Sequence, residues 1–481
     1  MLTRVYVLSV IASIMLYGHL STGNAAETSK AKPAPVPHDF RLTSELTTKV
    51  VAGPAWAKNL PIYEVNLDQY KFPRGQAFMA FESHLPVLKE MGIGIIWLMP
   101  LHPRGEKKAF GSPYCVRDYL DLNPAFGTKA DFKHLVQRAH ELGLHILMDW
   151  VPNHTSWDNA WITQHPEFYQ HDAQGNITQA RSWRDVAQLN YGHPGSWNQP
   201  LWNAMRDAMT YWVKEYDING YRCDVAAGVP IEFWNWLRPQ LDALKPVFML
   251  AEANEPRHHP AFDMTYEWTM PSTIFALAAG KQPATAIDQV LLKEAKDYPQ
   301  GAIRMRFLDN HDWHNDPNVW ADGPRLDRLP GSSVLQRYNG GIAPLMILCA
   351  TLPGKPLLYN GQEMGHEKHD PPADATARHQ SPVWDFYRRL YGHYQRDPAL
   401  YEGEFQKLVT NHDDKVYAFM RQRDQHHVLV VLNLSPEPLT CILQTGTLPG
   451  VYSELFTDAP QTFTNPVQLP LEPWGYRVYV Q

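Results

Sequence analysis

The sequence predicts an α/β fold: a (β/α)8 TIM barrel with a small subdomain inserted after its third strand and a C-terminal antiparallel β domain. Three observations predict it. Short apolar runs alternate with amphipathic helical stretches across residues 56–400, one connection (151–200) is far longer than the rest, and after residue 401 the chain turns to β-type runs divided by Pro, Gly and Asp. The apolar runs are of the kind buried in parallel sheets. Eight of them alternating with helices favour a barrel, although an open doubly wound sheet stays available, since neither a GxGxxG turn nor a GxxxxGK[ST] loop is present to decide. The 481 residues exceed what one core normally holds. With 44% apolar, 12% aromatic and 19% charged residues the chain buries a sizeable core, which excludes global disorder. A formal net charge of −7 without a run of one sign lacks the basic footprint of a nucleic-acid binder, so no nucleic-acid partner is expected.

In chain order, residues 1–25 read as a secretory signal. Arg4 precedes an apolar stretch from 5 to 20, and small residues follow, with Gly23 and Ala25 at suitable −3 and −1 positions. The expected destination is periplasmic or secreted, with no membrane association after signal cleavage. Residues 26–55, with Pro33, Pro35 and Pro37, read as a linker before the barrel unit at 56–400. Strands are expected at 62–67, 93–99, 145–150, 220–225, 247–251, 263–266, 304–308 and 356–359. Phe81, Leu85, Leu88 and Met91 give one helical face. Phe132, Leu135, Val136, Ala139 and Leu142 give a second, entered through the capping pattern Thr128-Lys129-Ala130-Asp131, and Met205, Met209, Trp212, Val213 and Tyr216 a third. The long connection reads as a small subdomain over the strand ends. In the terminal module, 401–481, strands are expected at 416–420, 428–432, 439–443 and 477–480. Cys115, Cys223, Cys349 and Cys441 are too scattered for a disulfide framework or a zinc site and are expected to be mostly free, packed thiols. The His pairs 311/314 and 366/369 lack the HExxH pattern and read as loop histidines.

Reactive groups of a barrel lie where strands end on the C-terminal face. The third run ends in Asp149-Trp150-Val151-Pro152-Asn153-His154, the fourth in Arg222-Cys223-Asp224, the fifth in Ala251-Glu252 and the seventh in Asn310-His311-Asp312. Asp224, Glu252 and Asp312 should therefore converge over one mouth. Splitting an acetal without metal needs a carboxylate nucleophile and a carboxylic acid that protonates the leaving oxygen. Arg222, two residues before Asp224 and on the same side of the strand, should hold it ionised, while Glu252 between two alanines should keep its proton to higher pH.

In order and spacing these segments resemble the α-amylase family of retaining glycoside hydrolases, over nearly the whole chain from Trp56 on. Asp149 to His154 matches that family's DxxxNH segment, Gly220, Arg222 and Asp224 its GxRxD, Glu252 the lone acid after strand five, and Asn310-His311-Asp312 its NHD. The resemblance implies hydrolysis of α-glucosidic bonds in starch-derived glucans and maltooligosaccharides. Asp224 would be the nucleophile, Glu252 the acid/base and Asp312 the residue that grips the distorted sugar. Arg222, His154 and His311 would line the subsite of the reacting glucose, with Asp149 supporting Arg222 and Tyr114 stacking on the sugar. Asp374 and Arg378, four apart after strand eight, resemble a pair that holds the next sugar outward.

Departures from the family pattern shape the expectation. Ala227-Gly228 stands where many amylases have Lys-His, and Gln188 stands where a calcium-binding Asp is common. Of the usual calcium ligands only Asn153 is evident, so no cofactor is expected to be required and calcium has weak support. Val225 after the nucleophile is the residue found in relatives that cut α-1,6 bonds, against threonine in α-1,4 cutters. Alternatives are thus an α-1,6-acting or glucosyl-transferring relative, a non-catalytic sugar-binding protein of the same fold, and a metal-dependent hydrolase.

Overall fold

The computed structural model describes residues 39–44, 46–312, 340–365, 371–444 and 448–481. The expected signal segment, the start of the linker, His314 and the 366–369 histidine pair lie outside the described residues. Eight parallel strands close a barrel in chain order: Ile62–Val65, Ile95–Leu98, His145–Trp150, Gly220–Cys223, Phe248–Ala251, Met264–Thr265, Ile303–Arg306 and Lys355–Tyr359. The pairing of Ile62 with Leu357, first strand on last, excludes the open sheet.

Inside the barrel, Ile62, Ile95, Leu147, Phe248, Met264, Met305 and Leu357 form an apolar layer, with Trp97, Leu250, Tyr266 and Phe307 joining the same cluster two residues further along their strands. Side chains alternate faces with a period of two, so the next inward positions are fixed in advance. They are Glu64, Asp149, Arg222, Asp224 and Glu252, all buried. The fourth strand can approach the fifth only because Gly220, at φ +145°, has no side chain; a Cβ there would lie 1.9 Å from the Phe248 carbonyl oxygen.

The helix Lys129–Glu141 has its capping box: the Thr128 hydroxyl accepts from Asp131 N–H and the Asp131 carboxylate accepts from Thr128 N–H. The third apolar face becomes Gln199–Tyr216, with Met205, Met209, Trp212, Val213 and Tyr216 buried. The first face is corrected. It is shared by two helices, Ala77–Glu82 and Leu85–Glu90, because Pro86 has no N–H for the Glu82 carbonyl and its ring would clash there.

The 151–200 connection forms the expected insert, a three-stranded antiparallel sheet of His154–Ser156, Gln179–Ala180 and Trp183–Gln188. The terminal module is an antiparallel sheet of eight strands among the described residues, including four that were not expected: Glu404–Thr410, Tyr452–Glu454, Pro460–Gln461 and Val467–Leu471. Its face packs on the barrel through Tyr417, whose hydroxyl donates to Asp288 (2.8 Å), and Arg421, which donates to the Thr351 carbonyl (2.7 Å). The end of the expected linker is not free chain. Phe40 is buried near Phe405, and residues 40 and 42 exchange backbone hydrogen bonds with Lys407 and Phe405. The four cysteines are buried free thiols.

Candidate active site

Arg222 is the hub of the barrel mouth. Its side chain is fully buried, Nη1 lies 2.9 Å from both Asp149 Oδ1 and Asp224 Oδ1, and Nη2 lies 2.9 Å from Glu252 Oε2. Its Nε donates to the Tyr266 hydroxyl at 3.2 Å, and the guanidinium sits over the rings of Trp97, Tyr114 and Tyr266 at 5.1–5.6 Å. The planar, permanently charged fork faces three carboxylates at once, Nη1 through hydrogen bonds to Asp149 and Asp224 and Nη2 through an ion-pair contact with Glu252.

That sharing changes the electrostatics expected from sequence. Burial raises Asp224 to about 6, because Arg222 only partly offsets desolvation and Asp149 opposes ionisation. Glu252 rises further, to about 8, through desolvation, with Arg222 opposing and Asp224 and Asp312 adding to the shift. The order of the two groups is as expected, and Arg222 favours the ionised form of Asp224 as expected; what burial adds is a net rise above the usual carboxylate range. The carboxyls of Asp224 and Glu252 are within side-chain hydrogen-bonding reach of each other. Of the two, Glu252 therefore keeps its proton to higher pH and Asp224 gives its proton up first.

The seventh strand brings His311 and Asp312. His311 Nδ1 is 2.5 Å from Glu64 Oε1, and Nε2 is 2.8 Å from the Tyr114 hydroxyl and 3.2 Å from Asp312 Oδ1. Asp312 and Glu64 outweigh burial and hold the His311 imidazolium well above its usual range, while His311 holds Asp312 below the usual carboxylate range. Asp312 is the most open of the three acids, with 26% of its side chain exposed. Tyr114 is half-buried, its ring stacked on His311 at 5.6 Å and its hydroxyl 3.3 Å from Asp149 Oδ2. His154 is buried against Trp183, and desolvation lowers it to about 3, so it is neutral.

Two contributors were missed. Glu64, on the first strand, is a lone acid inside an apolar run and fully buried, which is the signal that it has a partner. Val225 adopts φ +43°, a left-handed conformation that a β-branched residue rarely takes, and its N–H donates to Glu252 Oε2 at 2.7 Å. No sequence pattern announces that turn.

The expected pair after strand eight is corrected. Asp374 is exposed and caps Thr376, whereas Arg378 is fully buried, 2.8 Å from Glu363 and within reach of the Tyr63 and Tyr70 hydroxyls and His84. The resemblance implied that both hold the next sugar outward, but residues 375–380 form a 3-10 turn that sends the two side chains apart. Asn153, the expected metal ligand, is bonded instead to Gln188. Among the described residues no group of three or more His, Cys, Asp or Glu side chains is placed to hold a metal ion.

Residues 80–200 match the family described as alpha amylase, catalytic domain, and residues 405–478 match that described as maltogenic amylase, C-terminal domain. The chain is 26% identical over 467 residues to alpha-amylase 2 of Dictyoglomus thermophilum, covering 87% of this chain and 75% of that one. A maltogenic α-amylase from Thermotoga neapolitana superposes with a TM-score of 0.76 at 29% identity, over 88% of this chain and 99% of the other. In both its barrel and its terminal β domain the chain resembles the α-amylase family. An α-amylase from Lactobacillus plantarum is similar to the same extent, with a TM-score of 0.74 and 27% identity over 89% and 100% of the two chains. Both solved family members span the barrel and the terminal β domain together, as this α-amylase relative does.

Proposed function

We propose that this α-amylase relative is a retaining hydrolase of α-glucosidic bonds in starch-derived glucans and maltooligosaccharides, with α-1,4 bonds favoured. One observation carries the reading: the Asp224 and Glu252 carboxyls share a single guanidinium and lie within reach of each other. Inverting pairs stand ~6.5–9.5 Å apart to admit a water between them, and retaining pairs only ~5–5.5 Å. Asp224 Oδ attacks the anomeric carbon as the bond to the leaving oxygen breaks, and that oxygen takes the Glu252 proton. Water then gives its proton back to Glu252 and displaces Asp224 from the glucosyl ester. Asp312 grips the distorted sugar, and Tyr114, Arg222, His154 and His311 line its subsite, with Asp149 bracing Arg222. The periplasmic or secreted destination rests on the leader-like residues 1–25.

A product time course on maltoheptaose, pullulan and isomaltose tests this. Short maltooligosaccharides should appear first as α-anomers by NMR, with isomaltose untouched. First-formed β-anomers would remove the retaining mechanism, absence of turnover would leave a sugar-binding protein, and isomaltose cleavage would favour the α-1,6 relative toward which Val225 points.

A further inference from the structure

We propose that the side-chain amide nitrogen of Gln188 permanently occupies the place where kinship with the α-amylases implies a calcium ion, so that the root of the insert is closed without metal. The nitrogen lies 2.9 Å from the Asn153 backbone oxygen, 3.3 Å from Asn153 Oδ1 and 3.1 Å from the Leu189 carbonyl oxygen. Three converging oxygens are what a cation would be offered, and an N–H2 group takes that place with two hydrogens shared among the three. The amide cannot be turned over without facing its own oxygen to three others.

The orientation of Asn153 is set independently. Its Nδ2 lies 3.1 Å from His154 Nδ1 and donates to it, which leaves Asn153 Oδ1 toward Gln188. The donor set does not suit calcium, which takes about 6–8 oxygens and favours carboxylates. The three oxygens bonded to Gln188 Nε2 are uncharged carbonyls. Asp158 Oδ2 accepts from Glu106 N–H, and Asp172 closes its own turn through Gln174 and Asn176 N–H.

The joint has a position that matters for the reaction. Gln188 ends the insert strand that pairs with His154, and on the barrel side a Cβ at Gly228 would stand 2.5 Å from Asn153 Oδ1. Gly228 N–H in turn closes on the Val225 carbonyl, in the turn that follows Asp224. The amide thus fixes Asn153, whose side chain lies close to the turn behind the nucleophile.

Thermal unfolding of the purified protein in EDTA and in millimolar calcium tests the assignment. The wild-type Tm should differ by less than about 1 °C, whereas an ion resident at a hundred times its dissociation constant would shift it by roughly 3–5 °C. Gln188→Ala should lower Tm equally in both buffers. Gln188→Asp, which places a carboxylate among the carbonyls, should lose several degrees in EDTA and recover them in calcium. A wild-type Tm that falls in EDTA and returns with calcium would overturn the proposal, as would a Gln188→Ala protein with unchanged Tm or a Gln188→Asp protein indifferent to calcium.

Discussion

Asp224 sits under opposed demands: burial and Asp149 push its proton on, while Arg222 and the neighbouring Glu252 proton help it off. It is buried, not the exposed acid a strand end suggests, yet replacing it should cost little stability, because Arg222 keeps Asp149 and Glu252 as partners and one like-charge repulsion disappears. Asp224→Ala is expected to lower kcat by at least about 10^4-fold with an unchanged unfolding midpoint, since no other group can form the ester. Residual activity within tenfold of wild type would refute the nucleophile assignment. Glu64 makes a different prediction. It stands apart from the bond-breaking pair but anchors His311, and a hydrogen bond to a charged partner is worth about 1.5–3 kcal/mol, roughly ten- to a hundredfold in rate. Glu64→Gln should lower kcat by that factor, and the deficit should widen as pH rises, because an imidazolium deprived of its buried counter-ion loses its proton sooner. A uniform loss across the pH profile would reduce Glu64 to a packing role.

At the scale of elements, the ends of the fourth and fifth strands place two carboxyls with different proton affinities side by side. Activity requires Asp224 ionised and Glu252 protonated, so kcat/KM should rise with pH through about 6 and fall through about 8, as apparent values of the pair. Glu252→Gln should abolish the alkaline fall when assayed on an α-glucosyl fluoride, whose leaving group needs no proton. The same raised affinity bears on stability. The folded state holds the Glu252 proton up to about 8 while an unfolded glutamate releases it near 4.5, so this group's contribution is present below the lower value and is lost as pH climbs to the higher. The unfolding midpoint of Glu252→Gln should accordingly gain on wild type between pH 5 and 8. A pH-independent difference would show that Glu252 titrates normally.

For the whole molecule, one continuous core runs from barrel helices into the terminal sheet, with Leu390, Tyr394 and Phe405 in the same buried cluster as Tyr417 and Val430. Phe386 of the helix Pro382–Arg396 stacks on Phe456 at 4.5 Å. A chain stopped at residue 401 would expose that face, and it is expected to aggregate on size-exclusion chromatography where the intact chain runs as a discrete species. Arg378 shows the same dependence inside the barrel: paired with Glu363, both fully buried, its removal would strand an anion at a cost of about 3–5 kcal/mol. Arg378→Ala should therefore shift urea unfolding strongly, whereas a change in KM alone would return it to the outer subsite.

The eight barrel strands, the insert, the terminal β module and the acids at the strand ends were legible in sequence, because burial on both faces writes an apolar run and strand ends write polar residues after it. Period-two alternation alone placed Arg222 beside Asp224. Tertiary structure decided what depends on neighbours distant in the chain. It divided one guanidinium among Asp149, Asp224 and Glu252, paired Glu64 with His311 across 247 positions, and separated Asp374 from Arg378. It also turned Gln188 from a missing ligand into a donor to three carbonyls. Local pattern records which face a residue prefers; the proton affinity and partner of a buried polar group depend on charges and dipoles that only folding brings within a few ångströms.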